Sequence, residues 1–416
     1  MLVAATWGIA ILATGGVILR PWRLPEAIWA VAGAALLVLA GLLSPADAWR
    51  GVARGTDVYL FLAGMMLLAE VARREGLFDW LAAKAAALAR GSARRLFALV
   101  YAVGTLVTVF MSNDATAVVL TPAVAAVARA VRAEQPLPFL LICAFIANAA
   151  SFVLPISNPA NLVIYGSHMP PLLEWLPRYA VPSILSILAT YVALFLTQRR
   201  ALRQTLAREV RAPALGTGGR LAACGLGLTA IVLLTASALD WQLGLPTCVA
   251  GALTAGGILL LTRSSPAPIL RNMSWGVLPL VAGLFVLIEA LDRTGLIPMV
   301  AGAIRDAVAV SPVLAAWASG VLPAFLCNAM NNLPAGLIAG SAVQTAHPPE
   351  AVTGAVLIGI DLGPNLSVTG SLATILWLSV LRREGLHVGA GAFLRLGIVV
   401  MPPALVLALA ALIAFG

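Results

Sequence analysis

Long apolar runs recur from one end of the chain to the other, broken by short basic loops. Many are near 20 residues, the length that carries a helix across the hydrocarbon of a bilayer. The runs predict spans at about 1–19, 25–43, 57–72, 138–165, 172–197, 220–239, 244–262, 274–291, 351–381 and 391–414. Two further apolar pairs, about 95–131 and 312–346, turn back at polar tips and read as helical hairpins, either re-entrant or fully crossing. Alternating strand patterns are absent, which argues against a β-barrel. The expected fold is an all-α polytopic membrane protein of about ten spans plus two hairpins.

The pattern also repeats. Phe61–Leu77 (FLAGMMLLAEVARREGL) and Leu280–Leu296 (LVAGLFVLIEALDRTGL) share Ala63/Ala282, Gly64/Gly283, Glu70/Glu289, Gly76/Gly295 and Leu77/Leu296 at one constant offset. The hairpins and two interrupted spans repeat in the same order. Residues 1–197 therefore form a first unit, with hairpin 95–131 and broken helix 138–165. Residues 198–219 form a basic linker. Residues 220–416 form a second unit, with hairpin 312–346 and broken helix 351–381. Five spans plus one hairpin per unit invert the second unit relative to the first. Carriers built from such repeats place their sites where interrupted helices meet near the midplane.

Composition narrows the class. The 416 residues are 61% hydrophobic and 10% charged, with mean hydropathy +0.99, against about 25% charge in a soluble domain. The net charge of +9 resides mainly in short loops, so membrane topology explains it better than nucleic acid. With the N-terminus outside, 21 of the 26 basic residues fall in cytoplasmic segments. The positive-inside rule favours that orientation, with both termini outside. Residues 1–19 lack a basic leader and read as a retained span. The four cysteines are scattered, so neither a disulfide framework nor a metal centre is expected. No cofactor is expected, and no phosphate-binding P-loop occurs. Phe78–Arg90 reads as an interfacial arm or an ordinary cytoplasmic helix.

Four polar islands interrupt the apolar runs. Ser112-Asn113-Asp114 and Asn331-Asn332 form the hairpin tips. Asn148–Asn161 (NAASFVLPISNPAN) and Asp361–Thr374 (DLGPNLSVTGSLAT) form the interrupted spans. Polar groups at membrane depth must face protein or water, and short helices ending there present free backbone N–H groups. The acids are exchanged between units: Asp114 matches Asn332, and Asn148 matches Asp361. Intramembrane acids are costly and commonly relay protons. Asp114 and Asp361 are accordingly the candidate proton-coupling residues, although capping of half-helices would also employ them. Asn113, Asn158, Asn331, Asn332 and Asn365, followed by Asn148 and Ser157, are the candidate substrate ligands, with satisfaction of broken backbone as the competing role. Glu70 and Glu289 lie near arginines at span ends and read as ion pairs. Cys327 reads as a small core residue, and His168, His347 and His387 as solvated.

At these islands the chain resembles the arsenical-pump membrane protein family, the ArsB-type arsenite efflux carriers of the ion-transporter superfamily. SNDATAVVLTP (Ser112–Pro122), SNPANL (Ser157–Leu162), NNLPAGL (Asn331–Leu337) and DLGPNLSVTGSLATILWL (Asp361–Leu378) carry the likeness. The resemblance implies inverted repeats with re-entrant hairpins and elevator-type transport. It also implies export of arsenite and antimonite across the inner membrane in exchange for protons. Some members associate with a soluble ATPase subunit, which makes such a subunit a candidate partner.

Arsenite at neutral pH is mainly an uncharged trihydroxide that suits amides and carboxyls, and the islands contain no arginine. The alternatives on the same fold are a sodium/proton antiporter and a sodium-coupled organic-anion carrier. A channel is disfavoured by the paired broken helices. An intramembrane enzyme is disfavoured because no nucleophile–base or metal motif occurs.

Overall fold

The computed structural model describes residues 2–166, 169–208 and 214–416, almost entirely as helices. The first unit contains α1 (Leu2–Leu19), α2 (Glu26–Leu39), α3 (Pro45–Arg54), α4 (Thr56–Arg74), α5 (Leu77–Ala89) and α6 (Ala93–Phe110). It continues with the short α7 (Asn113–Ala115), α8 (Thr121–Ala130), α9 (Leu137–Ala149), α10 (Pro159–Tyr165) and α11 (Leu172–Gln198). The second unit contains α12 (Thr217–Ala238), α13 (Gly244–Thr262), α14 (Ala267–Asn272), α15 (Val277–Asp292) and α16 (Leu296–Val310). It continues with α17 (Pro312–Met330), α18 (Asn332–Ala346), α19 (Glu350–Leu362), α20 (Leu372–Arg383) and α21 (Ala390–Phe415). The two units run through one order of helices, with α7 and α8 of the first standing where the second has the single α18. The chain is an all-α polytopic membrane protein.

The two units interlock rather than lie side by side. In the outer frame, α4 packs along α13, while its counterpart α15 packs along α2. Small residues permit both crossings, as is usual where helices meet without a hydrophobic drive. A methyl group at Gly64 would fall 2.4 Å from the Thr247 carbonyl oxygen. One at Gly283, the repeat partner of Gly64, would fall 2.7 Å from the Ala30 carbonyl carbon. In the interior, α17 lies against α19, and the long helices α11 and α21 pack on each other.

Several details depart from the sequence pattern. Residues 45–54, expected as a loop, form α3, bent by 48° from α4. Ser44 Oγ caps it by accepting from the Asp47 N–H at 3.2 Å, with Pro45 in the first turn. These are ordinary helix-start signals. α2 and α15 are only 14 and 16 residues long, below the ~20 of a full span, and they pack on each other. The segment after Ala89 turns through Arg90 and Gly91 into α6, and α5 buries Phe78 and its alanines against α6 and α8. Its counterpart α16 has no separate sign in the hydropathy pattern. His168 and part of the linker, residues 209–213, lie outside the described residues. His347 is exposed at the end of α18, and His387 is exposed in the loop between α20 and α21. Cys327 is fully buried, its Sγ 3.7 Å from the Ile360 carbonyl.

Candidate functional site

The two hairpin tips and the two helix breaks meet inside the molecule. Asn113 and Asp114 from the first tip, Asn158 and Pro159 from the first break, Asn332 and Leu333 from the second tip, and Ser371 from the second break line one small internal cavity. Its free volume is about 20 Å³, room for roughly one water.

Each tip is built by local capping. Ser112 Oγ accepts from the Ala115 N–H at 3.2 Å, and Asn331 Oδ1 accepts from the Leu333 N–H at 3.3 Å. Asn331 has φ +75°, a conformation asparagine tolerates better than most residues. The breaks are capped alike. Asn158 Oδ1 accepts from the Ala160 N–H at 3.0 Å and Ser371 Oγ from the Thr374 N–H at 3.1 Å. Helix N-termini thus converge on the cavity from both units, which concentrates partial positive charge there. After the first tip the helix widens into a π-helical stretch over Thr116–Leu120, a feature frequent at functional sites. Thr116 and Thr108 share a hydroxyl contact of 2.8 Å beneath it.

The remaining candidates stand behind the cavity and tie the breaks together. Asn158 Nδ2 donates to Asp361 Oδ1 at 2.7 Å. Asn148 Nδ2 donates to Asn365 Oδ1 at 3.0 Å, and Asn365 Nδ2 donates to the Phe145 carbonyl at 3.0 Å. Both side-chain contacts cross between units. Ser157 Oγ donates to the Val109 carbonyl at 2.9 Å, fixing the first break to the first hairpin. Asn331 Nδ2 reaches the Thr369 carbonyl at 3.4 Å, and the Asn332 N–H donates to the Gly370 carbonyl at 2.9 Å. Asn113, Asp114, Asn158 and Asn332 therefore share the cavity, whereas Asn148, Asn365 and Ser157 hold backbone.

Asp361 is completely buried, and its second oxygen has no partner among the described residues. Asp114 differs in being half-buried. It lines a larger cavity of about 500 Å³, together with Phe61, Met65, Ser112, Val277 and Leu376 and with the charged Arg73, Arg383 and Glu384. Arg73 is held by Glu70 through bonds of 2.5 and 2.7 Å, and Glu384 pairs with Arg129. Glu289, the counterpart of Glu70, pairs with Arg54 at 2.8 Å at the other end of the frame.

Asn328, outside the four islands, and Ser367 and Thr369, inside the fourth but not among the candidate ligands, complete the second tip. Asn328 Nδ2 donates to the Gly363 carbonyl at 3.0 Å, Ser367 Oγ donates to Asn328 Oδ1 at 2.6 Å, and Thr369 Oγ1 donates to the Asn328 carbonyl at 2.8 Å. Asn328 sits one turn before the tip in an otherwise apolar run, and that was its only visible signal.

The chain is similar to known proteins in sequence and in fold. The sequence model described as "Citrate transporter" matches residues 9–366. The chain belongs to the citrate transporter family. This family member is 28% identical over 404 residues to the "Arsenical pump membrane protein" of Escherichia coli (strain K12), a match covering 92% of each chain. It is 26% identical over 410 residues to the "Putative arsenical pump membrane protein" of Bacillus subtilis (strain 168), covering 92% and 93%. The crystal structure of the Alcanivorax borkumensis YdaH transporter, titled as revealing an unusual topology, aligns with TM-score 0.57 at 17% identity. That alignment covers 88% of this family member and 86% of the other chain, and it places the two in one fold. The protein is an integral membrane transporter rather than an enzyme.

Proposed function

We propose that the protein exports arsenite, and with it antimonite, across the plasma (inner) membrane in exchange for protons. The observation that carries this reading is the polar part of the small cavity's lining: the amides of Asn113, Asn158 and Asn332, the Ser371 hydroxyl and Asp114, set among apolar Leu62, Val277, Leu333, Leu372 and Ala373, with no lysine or arginine among the wall residues. A neutral trihydroxide is both donor and acceptor, and such a wall can bond it without a counter-charge. A tricarboxylate bearing several negative charges would instead confront Asp114 there, with Asp361 bonded directly behind Asn158. The names of the E. coli and B. subtilis relatives point the same way.

Asn158 lies between the cavity and Asp361: it borders the cavity beside Asp114, its Oδ1 caps α10 and its Nδ2 holds Asp361. A buried charge without a cation beside it is costly, so Asp361 is a natural resting place for a proton. Proton binding at Asp361 or Asp114 rearranges the amides, and substrate and proton then alternate at one site. With both termini outside, the large cavity opens to the cytoplasm, the loading side of an exporter. The two tips and two breaks form the body that shifts against the α2–α4–α13–α15 frame in an elevator movement.

The test is expression in arsenite-sensitive cells lacking their own exporter. Restored resistance with lowered cellular arsenic supports the reading. Unchanged resistance together with sodium-dependent citrate uptake assigns the site to an organic anion held by the helix N-termini.

A further inference from the structure

The linker between the units is not a loose tether. The Leu206 N–H donates to the Gly91 carbonyl at 3.1 Å and the Ala207 N–H to the Val131 carbonyl at 2.9 Å. Gln204 exchanges two bonds with the Gln135 backbone, at 2.8 and 3.0 Å, and Thr205 forms a single antiparallel bridge with Ser92. Residues 201–207 thus lie as a strap across both feet of the first hairpin, where α6 begins and α8 ends.

The strap gathers charge. Arg90, Arg94 and Arg132 project from the hairpin feet, and Arg199, Arg200 and Arg203 from the linker side; all six are exposed. None forms an ion pair among the described residues. The one acid in segments 90–95, 131–136 and 198–208 is Glu134. The patch sits at the ends of apolar helices, which is the level of lipid headgroups. Exposed apolar side chains run away from it on the same helices, Leu88 at 60% and Leu196 at 53% exposure. Cations over an apolar wall match an amphiphile with an anionic head.

We propose that the strap and the first hairpin's feet form a binding site for anionic phospholipid, with the headgroup on the six arginines and the acyl chains along α5 and α11. Basic residues at a membrane surface each contribute about 1 kcal/mol of attraction to anionic lipid. Removing three converts to about 100-fold weaker binding. The site is independent of which solute is carried.

The experiment counts lipids retained by the purified full-length protein in native mass spectrometry, from micelles doped with cardiolipin or with phosphatidylcholine. Melting temperature is followed in the same mixtures. Wild type should retain cardiolipin preferentially and melt higher with it. The R199Q/R200Q/R203Q protein should lose about 100-fold in cardiolipin affinity, and so should R90Q/R94Q/R132Q if the first variant does not fold. R263Q/R271Q/R395Q, with equal charge loss elsewhere, should bind as wild type. Equal loss in all three triples would reduce the effect to bulk charge and overturn the proposal. Equal retention in all three would overturn it, as would stabilisation by inorganic phosphate without lipid.

Discussion

Gly359→Ala should disable transport by displacing one side of the site, without touching any group in it. Gly359 lies on α19 two residues before Asp361, against Gly320 of α17, the arm that carries the second tip. A methyl at Gly359 would fall 2.1 Å from the Gly320 carbonyl oxygen and 3.0 Å from its carbonyl carbon. Ordinary contact requires more than 3 Å, so the helices must part by roughly 1 Å. Overpacking of this kind costs about 1–3 kcal/mol. The next contact along the pair is equally tight, since a methyl at Gly363 would fall 2.3 Å from the Ala324 carbonyl oxygen. The pair therefore has no slack in which to absorb the shift, and Asn332 moves relative to Asp361. Misplacement by about 1 Å costs on the order of 100-fold where geometry governs a rate. The assay pairs a melting curve in detergent with initial arsenite flux per folded molecule. Gly256→Ala, at a site with nothing within 4 Å, serves as control and should match wild type. A Gly359→Ala protein with wild-type melting and flux would refute the claim that α17–α19 contact sets the site.

Other substitutions separate coupling from folding. Asp361→Asn keeps an acceptor for Asn158 Nδ2, so folding should change by no more than about 1–2 kcal/mol while proton-driven accumulation disappears. Asp114→Asn should also abolish accumulation but leave stability nearer wild type, because Asp114 opens onto the large cavity. Asn158→Ala should be worse than either in a melting assay, since it removes both the cap of α10 and the donor to Asp361. Glu289→Ala strands Arg54 and leaves Arg293 with Asp47 alone, and should lower the melting temperature by a few degrees with flux per folded molecule unchanged.

Much of the fold could be read before the structure, because hydropathy and duplication are local, repeated signals. Every long apolar run became helical, two of them as broken pairs, and the constant offset from Gly64 to Gly283 marks two equivalent close crossings between the units. What escaped reading depends on contacts between distant segments. α3 carried its own start signals in Ser44 and Pro45, but its polarity resembled a loop. Asn328 showed nothing of its bonds to Gly363 and Ser367, more than 30 residues away. The polar islands could be found from polarity alone. Their division could not: Asn113 and Asn332 line the cavity, whereas Asn148 and Asn365 bond each other across the units. Composition does not distinguish an amide that faces a solute from one that mends a broken helix.

The central claim is exchange of arsenite for protons at the converging tips. Its most direct measurement follows radiolabelled arsenite in proteoliposomes of the purified protein, with an imposed pH gradient, with and without sodium. Accumulation that tracks the proton gradient, ignores sodium and collapses with a protonophore is the predicted result. Properly inserted protein that leaves arsenite unmoved under every gradient would contradict the account.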